Sequence, residues 1–369
     1  MNADPEPPPF RADHVGSLLR PRRLTEAFKA HRAGRISEAE LDAAQDRAIV
    51  DAVRLQESVG LRSITDGEFR RPSYWARFVE RVAGLEVREA LFAFQDEAGR
   101  KQAFTAPHVA AKLRRERAIA GDEYDFLAAN TNAIPKITLP SPPTMHFWRL
   151  DQGIDRAAYE SMEDCFADLA RVYQEELADL GTRGARYVQL DEVPLAMLCD
   201  PRVRDRVRGA GLDPEILTAR YIELCNRALD GRPDGMRVAI HLCRGNYKAK
   251  FLSEGGYEAV AETLFEALNV DAFFLEYDSP RAGDFAPLRF VPGDKTVVLG
   301  LISSKLPALE TVAEVAGRID DAARVLALEQ LAVSPQCGFA STVAGNPLTE
   351  DDERAKLALV VEVARRVWG

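Results

Sequence analysis

The chain has 369 residues, enough for one large α/β barrel or for two ordinary domains. A hydrophobic share of 46% with 29% charged residues is that of a globular protein with a sizeable core. Lys and Arg number 48 against 58 Asp and Glu, a net charge of −10, which excludes a broad polyanion-binding face and with it nucleic acid as a partner.

The chain opens with MNADPEPPPF, which has neither the basic start nor the apolar stretch of a secretory signal. No run approaches the roughly 18 apolar residues of a membrane span. The expectation is a cytoplasmic protein with no membrane partner, a disordered tail over residues 1–9 and one catalytic domain over 10–369. Short aliphatic or β-branched runs ending in polar residues then recur at 12–17, 63–68, 135–141, 187–193, 238–243, 272–278, 296–303 and 331–337. Amphipathic segments with helical spacing lie between them at 37–59, 156–180, 213–230, 257–268, 307–328 and 350–367. Strand followed by helix, repeated, implies parallel pairing with right-handed crossovers. Eight such units close most simply into a (β/α)8 TIM barrel, although an open doubly wound sheet shares the local pattern.

Residues 76–133 break the repeat. Alternating apolar residues flank DEAGR at 96–100, which predicts a hairpin and then a helix inserted after the second strand. The insertion suits a lid or a contact between copies, and a homo-oligomer is left open.

In a parallel barrel, functional side chains gather at the C-terminal strand ends. Strand residues two apart share a face, so His241 and Cys243 in RVAIHLCRGN present imidazole and thiol side by side. Such a pair alone carries little weight. With Glu276 and Cys337 at two further strand ends it becomes a tetrahedral S, N and O set suited to Zn²⁺. Two thiolates, a carboxylate and a neutral imidazole leave a divalent ion about −1 overall, a poor electrophile but a good holder of an incoming thiolate. The chemistry indicated is alkylation of sulfur. Cys165, Cys199 and Cys225 read as buried small hydrophobes.

The stretches DHVGSLLRP (13–21), TDGEFRR (65–71), QLDEVPLA (189–196), IHLCRGN (240–246), FFLEYD (273–278) and SPQCGFAS (334–341) together resemble the catalytic C-terminal barrel of cobalamin-independent methionine synthase, in its short single-barrel form. The resemblance implies methyl transfer to the thiol of homocysteine. It makes His241, Cys243, Glu276 and Cys337 the zinc ligands, with Glu276 loosening when the thiol arrives. Gly16 and Ser17 would hold the homocysteine carboxylate, Glu68 and Asp191 its amino group, and Trp148 would stack on the pterin of 5-methyltetrahydrofolate. FRRPSYWARF at 69–78 reads as a helix start beside the mouth.

Two departures stand out. Where large members carry a histidine at the end of strand seven, GLISSKLP offers Ser303 and Ser304, and serine is no acid near neutral pH. Ser303, His14, His146 or a water would have to protonate the leaving nitrogen. The folate-holding N-terminal barrel is also absent from this sequence, which leaves the donor open among methyltetrahydrofolate, a methylcobalamin protein, a sulfonium or another methylated carrier. Two alternatives share the residues: epoxide opening by a zinc-bound thiolate such as coenzyme M, and a non-catalytic zinc-binding protein.

Overall fold

A computed structural model describes residues 7–369 of the chain. Residues 1–6 of the expected tail lie outside the described residues, whereas Pro8 is buried and its carbonyl accepts a hydrogen bond from Arg237 Nε at 3.3 Å.

The strands are β1 (Ser63–Ile64), β2 (Val82–Gln95), β3 (Lys101–Arg115), β4 (Ile134–Pro140), β5 (Tyr187–Glu192), β6 (Arg237–Leu242), β7 (Ala272–Glu276), β8 (Thr296–Ile302) and β9 (Leu331–Pro335). Seven of them form one curled sheet in the order β1-β4-β5-β6-β7-β8-β9, every neighbouring pair parallel. This is an α/β fold consistent with a TIM-like barrel. The segment before β1 runs beside β9: Ala12 bridges Val333 in parallel, Asp13 N donates to Val333 O at 3.1 Å, and His14 Nε2 lies 3.2 Å from Ser63 O.

The sheet strands are short and rich in Val, Ile and Leu because both their faces are covered, and all six residues of β5 are buried. Val15, Tyr187, Ala239, Phe274 and Val298 form an inner cluster. Beside it Lys136 donates to Asp13 at 3.2 Å and to the His14 carbonyl, and its ammonium lies 4.2 Å from the Phe274 ring centroid. The interior is therefore packed rather than a pore.

Helices Glu38–Val59, Met162–Thr182, Pro214–Leu229, Val312–Ala322 and Glu350–Trp368 alternate with the strands. Their starts are set by side-chain caps: Ser37 with Glu40, Ser161, Asp213, Thr311 with Glu314, and Thr349 with Asp352. Capping at Ser161 and Thr311 is why two helices begin later than their apolar spacing predicts. Among the described residues no helix is long and apolar enough to cross a membrane.

Between β1 and β4 the chain forms the antiparallel pair β2–β3, turning where Gly99 N donates to Asp96 O and φ of Gly99 is +75°. Helix Gly121–Asn130 follows before β4. The hairpin lies against the loop after β6, with Gln95 bridging Phe251, and against residues 147–152, with Phe92 stacked on Phe147 at 5.0 Å. It forms a wall above the C-terminal strand ends.

Candidate active site

His241 lies on β6, Cys243 directly after it, Glu276 ends β7 and Cys337 follows β9. Their ligand atoms all lie within 4.8 Å of one another, and all four residues are buried. The two sulfurs are 3.4 Å apart, too far for a disulfide and close enough to share one cation. Neither ring nitrogen of His241 has a hydrogen-bond partner, an expensive arrangement for a buried imidazole unless a metal takes a lone pair. The neighbouring Cys337 sulfur, with burial, pushes the Cys243 thiol well above its ordinary pKa, so a bound cation would have to displace protons from this set. The residues fit a soft divalent metal ion.

Burial alone would raise the Glu276 pKa, but the Lys305 ammonium and Arg244 outweigh it and the carboxyl is held below its usual value. Arg244 N donates to Glu276 Oε1 at 2.9 Å, and the buried Lys305 Nζ donates to Gly245 O at 3.0 Å. Asn246 Nδ2 lies 3.4 Å from the Cys337 sulfur and is steadied by Gly338 O at 2.6 Å.

Against this cluster lies a cavity of about 30 Å³ that Ser17, Glu68 and Asp191 line together with His241, Cys243 and Cys337. Glu68 adopts a left-handed backbone, φ +60°, next to Gly67 at +68°, a costly conformation for a side-chain-bearing residue. Its Oε1 accepts from Thr138 Oγ1 at 2.8 Å, and its Oε2 is buried with no partner. Arg71, which sequence reasoning passed over, organises this corner. It donates to both carboxylate oxygens of buried Glu123 and to Thr138 Oγ1 and O, and stands 3.7 Å from Glu68. Arg20 ties the carbonyls of Glu68 and Arg71 to those of Ala340 and Thr342.

Asp191 accepts from Gln189 Nε2 at 2.7 Å, and burial followed by the nearby Glu68 charge raises its pKa to about 7. Gly16 does not line this cavity. Its φ of +134°, with space for no Cβ because Thr138 Cγ2 would be 2.7 Å away, makes the turn that delivers Ser17.

A second cavity, of about 480 Å³, shares Tyr74, Val193, Cys243 and Ser341 with the first. Trp148 lines it, as do Trp75 from the 69–78 stretch and Phe94 and Phe104 from the hairpin. Helix Ala76–Arg81 starts at that stretch, so residues 72–76 form the cavity rim.

The residues offered as acids lie elsewhere. Ser303 lines a separate cavity beyond Lys305, where its hydroxyl accepts from Lys305 N. His14 faces Ser63 and Lys136 in the interior, and His146 is bonded to Tyr221 at 2.7 Å. Burial first, then Lys136 for His14 and His108 for His146, lowers both imidazoles to about 4, so neither carries a proton near neutrality. After β8 both Ser303 and Lys305 are buried and line the separate cavity, and it is Lys305 whose Nζ reaches toward the metal-ligand loop at Gly245 O.

Comparison with known proteins gives the site its context. Residues 10–366 match the family described as cobalamin-independent synthase, catalytic domain. The chain belongs to this family. Among relatives of the cobalamin-independent synthase family, it is 41% identical to the uncharacterized protein YxjH of Bacillus subtilis, with 98% of this chain and 95% of that one aligned. It is 28% identical to a methionine synthase of Sulfurisphaera tokodaii over 88% of this chain and 84% of that one. The structure of a putative vitamin-B12 independent methionine synthase from Listeria monocytogenes superposes with a TM-score of 0.76 at 32% identity, covering 99% of each chain. A B12-independent methionine synthase from Shewanella, solved with selenomethionine, shares the fold at TM-score 0.73 and 23% identity, over 96% of each chain.

Proposed function

We propose that this protein is a zinc-dependent methyltransferase that moves a methyl group from 5-methyltetrahydrofolate or a related donor to the thiol of homocysteine, giving methionine. The observation that carries the reading is one small cavity whose wall holds both a soft ligand set, His241, Cys243 and Cys337 with Glu276 beside them, and two carboxylates, Glu68 and Asp191. In this reading residues 10–369 form one closed (β/α)8 barrel, with the segment at 12–17 as its first stave and 76–133 as an insertion walling the mouth.

Zinc held by those four residues would keep the homocysteine sulfur as a nucleophilic thiolate near neutral pH. The protein's own groups do the rest. The unpartnered Glu68 Oε2 and Asp191 accept from the substrate ammonium, while Ser17 and the Gly16 turn meet its carboxylate. Glu68 is held for this by Thr138 and Arg71, and Asp191 by Gln189. A cavity of about 30 Å³ is smaller than an amino acid, so entry requires the wall of Tyr74, Val193 and Ser341 to yield toward the larger cavity. That movement would also open the sulfur to a donor in the larger cavity, aligned for direct displacement.

A thiol bearing a sulfonate, such as coenzyme M, would set an anion against Glu68 and Asp191, with no Lys or Arg lining the small cavity. A purely structural zinc site usually draws on short local knuckles, whereas these ligands come from three strand ends beside a cavity. The test is metal content with methionine formation. The purified protein should carry about one zinc per chain, and Cys337→Ser should lose both the metal and transfer to homocysteine. Chelation should abolish transfer while far-UV circular dichroism holds; loss of the fold would mean a structural clamp.

A further inference from the structure

We infer that Lys305 positions the thiol exchange: its buried ammonium takes over the Glu276 carboxylate when the substrate sulfur enters the ligand set. This deepens the proposed thiol methylation and rests on it.

Glu276 is the ligand placed to yield. His241, Cys243 and Cys337 line the small cavity and Glu276 does not, so a thiol entering there meets the three softer groups with Glu276 behind them. Two thiolates and a carboxylate already bring the set and its divalent ion to about −1, so a third thiolate joins only as another anion withdraws. The exchange balances simply. The homocysteine S–H bond breaks with its electron pair left on sulfur, the proton passes to water, and Glu276 departs as a carboxylate. What remains is an anion on a residue only 4% exposed, which is costly unless a cation lies within reach.

Lys305 supplies that cation. Glu276 ends β7 and pairs with Gly300 of β8, and Lys305 follows in the turn after β8. Its side chain, 4% exposed, crosses back to the loop after β6, where Nζ donates to Gly245 O at 3.0 Å. The N–H of the preceding residue, Arg244, holds Glu276 Oε1 at 2.9 Å. Ammonium and carboxylate are thus tied to one short strip of backbone.

The ammonium has no anion of its own. It spends one of its three N–H groups on a carbonyl, and among the described residues it forms no ion pair. The acids that share its cavity are engaged elsewhere: Glu310 with Ser303 N and Lys356, Glu314 with Thr311, Asp96 with Arg100, and Glu97 with Arg281. Asp278 is the weaker claimant, because burial and then the Glu276 charge raise its pKa and Lys305 offsets them only in part. At Glu276 the balance is reversed, with Lys305 the foremost of the cations that overcome burial. Arg244 is not free to follow a moving carboxylate, since its guanidinium is committed to Gly255 O and Tyr257 Oη.

The test compares two affinities in the full-length protein. Zinc binding is measured by competition with a chromophoric chelator, and homocysteine binding by the sulfur-to-metal charge-transfer band of the cobalt-substituted form. Lys305→Met should keep zinc within about threefold of the parent but bind homocysteine at least about 10-fold more weakly. Unchanged homocysteine affinity would overturn the inference, as would parallel loss of both ligands, the mark of a residue that merely props the loop.

The unmutated protein gives a second measurement that does not depend on how the variant folds. A crystal structure with zinc and homocysteine should show Glu276 off the metal and within about 3 Å of Lys305 Nζ. Glu276 still among the ligands beside bound sulfur, or turned away from Lys305, would overturn the inference. If homocysteine binds the parent and Lys305→Met alike, the role of Lys305 fails alone. If homocysteine does not bind the zinc-loaded parent, the reading beneath it fails.

Discussion

Glu353 offers a sharp test of how the substrate loop is held. It lies in the helix Glu350–Trp368, is 2% exposed, and its Oε2 accepts the Leu19 backbone N–H at 2.7 Å. Leu19 belongs to the 13–21 stretch that presents Gly16 and Ser17. Burial raises the Glu353 pKa to about 8, opposed by the Leu19 hydrogen bond and reinforced by Glu350. The folded-state value thus lies above the unfolded one, about 4.3, so between those values the unfolded chain binds fewer protons and stability falls as pH rises. By neutral pH the accumulated loss is roughly 2–4 kcal/mol at about 1.4 kcal/mol per pH unit.

Glu353→Gln keeps an acceptor for Leu19 and removes the ionisation. Its stability relative to the parent should therefore rise from pH 5 toward pH 8 and then level off. For a chain of this size, calorimetry should show the gap in Tm widening by roughly 3–6 °C across that interval. Glu353→Ala should lose the pH dependence as well, but sit about 1–3 kcal/mol lower because the Leu19 N–H is left without its partner. Parallel melting curves for parent and Glu353→Gln at every pH would refute the reasoning.

Other perturbations probe the site directly. Gly338→Ala would set a Cβ 1.9 Å from Ser17 Oγ, so it should displace Ser17, raise the homocysteine KM about 10-fold or more and cost roughly 1–3 kcal/mol, read by steady-state kinetics and melting. Arg71→Met takes from buried Glu123 the guanidinium at 2.6 Å and leaves it only Arg77 at 3.6 Å, and should cost about 3–5 kcal/mol in urea unfolding. With its pKa at about 7, Asp191 should lose its hold on the substrate ammonium below that pH, so the KM for homocysteine should climb as pH falls. Asp191→Asn should show a high KM with that limb flattened.

The parts of this molecule that follow one local period were legible in the sequence. The two-residue pitch of a strand put His241 and Cys243 on one side, and the aliphatic runs marked the sheet strands from β4 onward within two residues, whereas β1 stops at Ile64 instead of running on to 68. Two kinds of feature were not. The apolar spacing of Leu306 and Leu309 looks helical, yet both are more than half exposed in a loop, because the Thr311 cap starts the helix only at Val312. Long-range polar pairs were also invisible: Arg71 and Glu123 are 52 residues apart, and Lys305 reaches the carbonyl of Gly245 across 60. Nothing local tells a buried arginine from a solvated one, because its partner is supplied by topology.

The same distinction bears on chemistry. A ligand set must be close-packed to share a cation, so it comes from rigid strand ends, which a sequence displays. The donor cavity is assembled differently, from a hairpin (Phe94, Phe104), a rim segment (Tyr74, Trp75), the turn after β4 (Trp148) and the loop after β6 (Tyr247). Read singly, each of these rings is ordinary packing. Only when the hairpin folds over the mouth do they face one space. The thiol half of the reaction is thus fixed by the sheet, and the choice of donor by what leans over it. A chain that keeps the β6, β7 and β9 residues but changes the hairpin should keep its thiol and change its donor.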